Sequence, residues 1–135
     1  MAGVNDFAKA IADAFEDYSL EVAEATKEAI DEVATGANKE IKSHMTFNHD
    51  RTGDYKKSIR VVTSYDGLYD RRKTWYVKSP HYRLTHLLEL GHLSRDGTTR
   101  VKAYPHIRYG EEYVEGNLEK AVKRHIEQIK HWRNA

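Results

Sequence analysis

The sequence predicts an α+β fold: a long N-terminal helix, a small antiparallel sheet of about three strands with a short inserted helix, and a C-terminal helix. Three observations lead there. An apolar stripe at helical spacing runs through a proline-free N-terminal third, two alternating segments follow a polar turn, and a second helical apolar face closes the chain. With 135 residues, 39% hydrophobic and 32% charged, the chain suits one core rather than two. Residues 1–135 are therefore read as a single domain, 1–45 forming the long helix and 46–135 the α+β body.

The first helix is expected from Asn5, as its N-cap, to about Met45, in a stretch rich in Ala, Glu and Lys. At 100° per residue, Phe7, Ile11, Phe15, Tyr18, Val22, Ala25, Ala29 and Val33 fall within an arc of about 80°. Beyond Gly36, Ala37 and Ile41 drift off that stripe, so the helix is expected either to bend there or to stop and restart near Asn38. Unbroken, it would span ~60 Å against roughly 35 to 40 Å for a compact globule of this size, and so outrun its own domain.

Polar residues from His49 to Asp54 form a turn, and Ser58 to Tyr65 alternates as a half-buried strand with Ile59, Val61, Thr63 and Tyr65 on one face. Asp66-Gly67 turns the chain into a second strand, Arg72 to Lys78, with Trp75 and Val77 inward. Ser79-Pro80 supplies a cap followed by a first-turn proline, and Gly91 stands where a left-handed cap belongs, which predicts a helix from Pro80 to Leu90. After the Asp96-Gly97 turn a third strand is expected at Thr99 to Tyr104. Pro105 then leads to a last helix, ending near Trp132, with Val114, Leu118, Ala121, Val122, Ile129 and Trp132 on its apolar face.

The absence of cysteine removes disulfides, thiolate catalysis and cysteine-held metal clusters, and fits a reducing cytosol. Apolar runs reach only three residues, as in Ala10-Ile11-Ala12 and Trp75-Tyr76-Val77, so a soluble chain that is not exported by the usual route is expected, with no membrane partner. His86, Glu89 and His92 form a His-x-x-Glu-x-x-His series, but the two histidines lie about 120° apart on a helix and Leu87 follows the first, where a zincin has Glu. Glu89 reads better as a cap or a bridge to a neighbour, and His125, within the apolar arc of the last helix, as a packed side chain. No Gly-x-Ser-x-Gly elbow occurs, and the Gly and Lys-Ser of residues 51–58 lead into a strand rather than from a strand into a helix, unlike a phosphate-binding loop. No catalytic residue, metal ligand or cofactor is assigned, and the chain is not expected to be an enzyme.

Charge is divided along the chain. Residues 1–45 hold 4 basic and 10 acidic side chains, and residues 46–135 hold 18 and 11, although the whole is only +1. Such division suggests nucleic-acid contact, or self-association in which one copy's acidic part meets another's basic part. On the first helix Asp6, Asp13, Asp17, Glu21, Glu24, Glu28 and Asp31 lie in one arc beside the apolar stripe. Basic and aromatic residues interleave from Tyr65 to Arg83, which makes Arg71, Arg72 and Lys73 candidate contacts to DNA or a partner.

One family fits these features. Arg51-Thr52-Gly53-Asp54-Tyr55-Lys56-Lys57-Ser58-Ile59 resembles the Thr-Gly-x-Leu-x-x-Ser-Ile segment of tailed-bacteriophage neck, or tail-completion, proteins of the minor tail protein Z-like group. The segment from His81 to His92, with Glu89 and Gly91, resembles that family's aromatic, helix and Glu-x-Gly segment, and Tyr104-Pro105-His106-Ile107 its Pro-x-Leu/Ile approach to the last helix. Tyr55 stands where Leu is usual, and Tyr109-Gly110 where Pro-Ala commonly follows. The family-motif residues are thus Thr52, Gly53, Ser58, Ile59, Glu89, Gly91 and Pro105.

The resemblance implies a non-enzymatic virion protein forming a ring, typically of six copies, at the head-tail junction, with genome passing through its bore. It also implies connector or head-closure proteins and tail terminator or tube proteins as partners, transient non-specific contact with genomic DNA, and a place at the top of the tail after assembly in the host cytoplasm. The alternatives are a stand-alone nucleic-acid-binding module and a tail-terminator ring protein. A ring subunit needs head-to-tail contacts, for which Phe7, Ile11, Phe15, Tyr18, Val22, Ala25 and Ala29 offer an apolar surface and Glu21, Glu24 and Glu28 would meet Lys56, Lys57 and Arg60 of the next copy; the same acidic face would otherwise line the bore. With no ligand set at workable spacing, dialysis against a chelator is expected to leave the melting temperature unchanged. A fall of several degrees, restored by zinc, would instead assign a metal to His86, Glu89 and His92.

Overall fold

Helix α1 runs without a break from Val4 to Ser43, 40 residues, in a computed structural model that describes residues 3–45 and 53–134. Its N-cap is Gly3, not Asn5. The Gly3 N–H donates to an Asp6 carboxylate oxygen at 3.2 Å, so an acidic residue at the third helical position ties off the first turn and sits at the positive end of the helix dipole.

Gly36 neither bends nor ends this helix. Ala25, Ala29, Val33, Ala37 and Ile41 are all buried and recur at every fourth position. That row is inclined to the helix axis, and it is the ridge a second helix packs across. The drift of Ala37 and Ile41 off the stripe therefore reports a crossing partner rather than a kink. The partner is α4, Ile107–Asn134, antiparallel to α1: His44 stacks on Tyr109 at 3.6 Å, and Glu32 is bridged to Arg124. Gly36 has no side chain because Tyr113 of α4 lies over it, and Gly110 of α4 faces Ile41, where an added Cβ would come within 2.5 Å of Cδ1.

A single turn, α2 (Asp54–Lys57), precedes strand β1 (Ile59–Asp66), which pairs antiparallel with β2 (Arg71–Val77) in the register Ile59↔Val77, Val61↔Trp75 and Thr63↔Lys73. Alternation is kept along β2, where Arg71, Lys73, Trp75 and Val77 are the covered positions. In β1 it ends at Val61. A register shift between Thr63 and Tyr65 breaks the period, so those two, expected on the inner face, are exposed.

The segment expected to be one helix from Pro80 to Leu90 is a 3-10 turn, His81–Leu84, followed by α3, Thr85–Leu90. Pro80, after a cis peptide bond, is the N-cap of the 3-10 turn and not the first residue of an α-helix. Gly91 has φ +73° but ψ 175°, so it reverses the chain out of α3 into a strand instead of forming a left-handed cap. A Cβ there would meet the Val101 carbonyl at 2.7 Å, which leaves glycine alone fitting the site.

The strands form two separate two-stranded antiparallel sheets, β1–β2 and β3–β4. In the second, β3 (His92–Leu93) pairs with β4 (Arg100–Val101). The strand read at Thr99 to Tyr104 is cut to two residues because the Tyr104 N–H donates to Leu88 O at 2.6 Å, drawing the backbone onto α3. Two clusters form the core. Tyr55, Ile59 and Val77 are joined by Met45, Trp75, Leu88 and Tyr104, and Ala29, Val33 and Ala121 by Tyr113, Val114, Leu118 and Val122. Trp132 has its side chain outside the described residues.

The close approach at Gly110 sets a limit on volume there. Gly110→Val is expected to destabilise the fold by about 1–3 kcal/mol through overpacking against Ile41, read as a lower urea midpoint. An unchanged midpoint would mean that α1 and α4 do not approach this closely.

Candidate functional site

Glu89 of α3 and Tyr55 of α2 meet at the start of α4. Gly53, with φ +75°, opens α2, whose buried Tyr55 and adjoining Ile59 enter the first core cluster. Ser58 closes that turn, its hydroxyl donating to Asp54 O at 2.7 Å. Glu89 on α3 accepts the N–H groups of His106 (2.8 Å), Ile107 (3.0 Å) and Arg108 (3.1 Å), the unpaired donors of the first turn of α4. A carboxylate from α3 thus caps a helix 18 positions away, which is the bridging role its sequence context suggested. Thr52 lies outside the described residues, as do residues 49–51 of the expected polar turn.

His106, fully buried, completes the joint. Its Nδ1 faces two acceptors, Tyr104 O at 2.9 Å and Glu89 Oε2 at 3.2 Å, which assigns the proton to Nδ1. Nε2 then accepts from the Tyr55 hydroxyl at 2.8 Å. Tyr55, where the family commonly has Leu, is therefore matched to a histidine rather than left as a buried orphan hydroxyl. Pro105, the residue before His106, is half-buried. Burial by itself would raise the Glu89 carboxyl, but the three N–H donors, with the His106 ring, together outweigh it and hold the group below its ordinary 4.5.

The joint holds α2, α3 and the start of α4 together. Glu89 is committed to α4, and among the described residues no group of three or more His, Asp or Glu is placed to hold a metal ion. No helix among them is long and apolar enough to cross a membrane.

A second set of expected site residues lies on α1. Positions 3–19 are all exposed, including Phe7 (67%), Phe15 (68%), Ile11 and Tyr18, so half of the apolar stripe projects from the body uncovered. Val22 marks the edge of the body. Ala25 and Ala29, expected at a subunit contact, are instead buried by this chain's own α4, which follows from their place on the packing ridge.

The acidic stripe divides at the same point. Asp31 pairs with Arg71 at 2.6 Å and Lys73 at 3.2 Å, Glu28 lies 3.5 Å from His125 Nδ1, and Glu24 lies 3.6 Å from Lys27; Glu21 is half-buried on the rim of a cleft of about 460 Å³ shared with His125. Arg71 also bonds Asp66, and Arg71 first, then Lys27, holds the Asp66 carboxyl below its ordinary value. Arg71 and Lys73, offered as DNA contacts, are thus turned inward. Arg72 is the outward one, its guanidinium 5.5 Å from the Tyr65 ring centre, on the face that also carries Arg60, Tyr76 and Lys78. Lys56 and Lys57 are exposed on α2, and Arg60 donates to Lys57 O and Ile59 O.

Sequence reasoning passed over Lys27. Its ammonium is buried, donates to Gly67 O at 2.5 Å and pairs with Asp66 at 3.1 Å, fastening the β1–β2 turn to α1. A lysine flanked by Glu24, Glu28 and Asp31 on the acidic half of the helix was the available signal. Between α1, the β1–β2 hairpin and α4 lies an open groove of about 680 Å³, with Ala34, Val61, Trp75, Val114 and Leu118 among its lining.

Comparison with known proteins finds no matching family model, curated protein or solved structure.

The Glu89 cap carries a pH signature. A carboxyl lowered in the fold adds stability above its unfolded value and loses that contribution as pH falls through its folded value. Glu89→Gln is therefore expected to lower unfolding free energy by about 1–3 kcal/mol at pH 7, with the gap to the unsubstituted chain narrowing as pH drops below 4.5. Urea unfolding at pH 7 and in acid checks it, and an equal loss at both would count against the ionised cap.

Proposed function

We propose that this chain is a structural subunit of the neck of a tailed bacteriophage or phage-like particle, assembling into a ring at the head-tail junction through which DNA passes. One observation carries the reading: the N-terminal part of α1 leaves the body with an unbroken apolar stripe exposed to solvent. An amphipathic face of that length has no reason to be apolar in a monomer. A protein that presents one face and receives another forms head-to-tail contacts, which close into a ring when the rotation between copies divides a full turn. The resemblance of the segments around Gly53, Glu89 and Pro105 supports the choice of neck protein among ring proteins. Connector or head-closure proteins on one side and tail terminator or tube proteins on the other are the partners this reading implies.

A second reading, a stand-alone nucleic-acid-binding module, is favoured by the outward hairpin face, where Arg60, Arg72 and Lys78 stand beside Tyr65 and Tyr76. The two differ in whether assembly needs nucleic acid. Native mass measured over a concentration series, with particle images at the high end, is expected to show closed rings with an open bore in nucleic-acid-free protein. Monomers or two-fold dimers alone, including in assembled particles, would overturn the ring. Tight binding of short DNA by the monomer, falling steeply with salt, would favour the module.

A further inference from the structure

We infer that the groove between α1, the β1–β2 hairpin and α4 receives the projecting N-terminal segment of α1, residues 4–19, from a second copy of this chain. The inference rests on the self-assembly proposed above and names the surfaces that make it.

The two surfaces match in chemistry. The segment offers Phe7, Ile11, Phe15 and Tyr18 in one stripe, all exposed. The groove offers an apolar floor from Ala34, Val61, Trp75, Val114 and Leu118. They match in length as well. The apolar stripe from Phe7 to Tyr18 spans ~17 Å, as does the stretch of α1 that walls the groove, Ile30 to Ile41.

Charge sets how the segment lies. Asp6, Asp13 and Asp17 lie to one side of the stripe beyond Ala10 and Ala14, and Glu16 with Lys9 to the other beyond Ala8 and Ala12. The groove has Arg71 and Lys73, both paired with Asp31, on its hairpin wall and Glu111 and Glu115 on its α4 wall. The placement with fewer like-charge contacts turns the three-aspartate side toward the hairpin and the side where Lys9 offsets Glu16 toward α4. The small residues on that flank also permit close approach to α4.

The occupant must come from another copy. Phe15 and Ala34 lie on the same unbroken helix, 19 positions and so ~28 Å apart, and a straight helix cannot fold its own start into its own groove. The contact therefore joins unlike surfaces on two copies, as ring closure requires.

The chain has no cysteine, which allows a direct test on the full-length protein. Phe15→Cys and Ala34→Cys are made as separate chains, mixed and mildly oxidised, with Leu90→Cys, on a different exposed patch, as the control partner for Phe15→Cys. Covalent dimers are expected at least tenfold more abundantly with Ala34→Cys than with Leu90→Cys. If the unsubstituted chain assembles but Phe15→Cys couples equally well or better to Leu90→Cys, the groove is overturned while the ring stands. If the unsubstituted chain is monomeric at every concentration, both fall. Ile11→Glu and Phe15→Glu, at exposed positions, are expected to keep the monomer's melting temperature and raise the concentration needed for assembly at least tenfold; unchanged assembly would overturn the inference independently.

Discussion

The row of small and branched residues on α1, Ala25, Ala29, Val33, Ala37 and Ile41, is the feature on which the rest of the molecule depends. Because these residues repeat every fourth position, they form an inclined ridge, and α4 must cross α1 along it. The crossing brings Gly110 against Ile41 and Tyr113 over Gly36, so at each of these contacts a glycine on one helix makes room for a large side chain of the other. That contact fixes where the hairpin can rest, with Trp75 donating its indole N–H to Asn38 and Lys27 holding the turn at Gly67. It also fixes how much of α1 is left over. The packing row begins at Ala25, and everything before residue 20 stands outside the body.

Glu89 performs the complementary task at the other end of α4. A helix that starts after a proline-containing bend has unpaired N–H groups and no side-chain cap of its own. Here α3 supplies the missing acceptor, and His106 links that acceptor to Tyr55. The short α2 turn, α3 and the first turn of α4 are therefore one hydrogen-bonded unit, although they are separated by dozens of residues in sequence. Tyr55, Glu89 and His106 meet there for a structural reason, the capping of α4.

Electrostatics follow the same division. The acidic half of the sequence and the basic half are partly neutralised within one chain, through Asp31 with Arg71 and Lys73 and through Glu32 with Arg124. The projecting segment keeps its carboxylates Asp6, Asp13, Glu16 and Asp17 exposed, and the outward hairpin face keeps Arg60, Arg72 and Lys78 exposed. A dipole along the sequence thus becomes a dipole in space, reduced near the body and retained at the surfaces available to other molecules.

The sequence alone determined the α+β class, the positions of the first and last helices, the β1–β2 hairpin and the Asp96-Gly97 turn. Each of these depends on periodicity or on residues close in the chain, which local physics can read. Tertiary structure decided the rest. Gly36 read as a break because glycine weakens an isolated helix, but in the fold its missing side chain is the space Tyr113 occupies. Ala25 and Ala29 read as a surface for another subunit because a helical face does not declare its partner, and α4 took them. Arg71 and Lys73 read as free cations because Asp31, 40 positions from Arg71, could be placed beside them only by the packing of the hairpin on α1. The expected third strand joined its own small sheet, since the hydrogen bond from Tyr104 to Leu88 is a contact between distant turns and leaves no local trace in either segment.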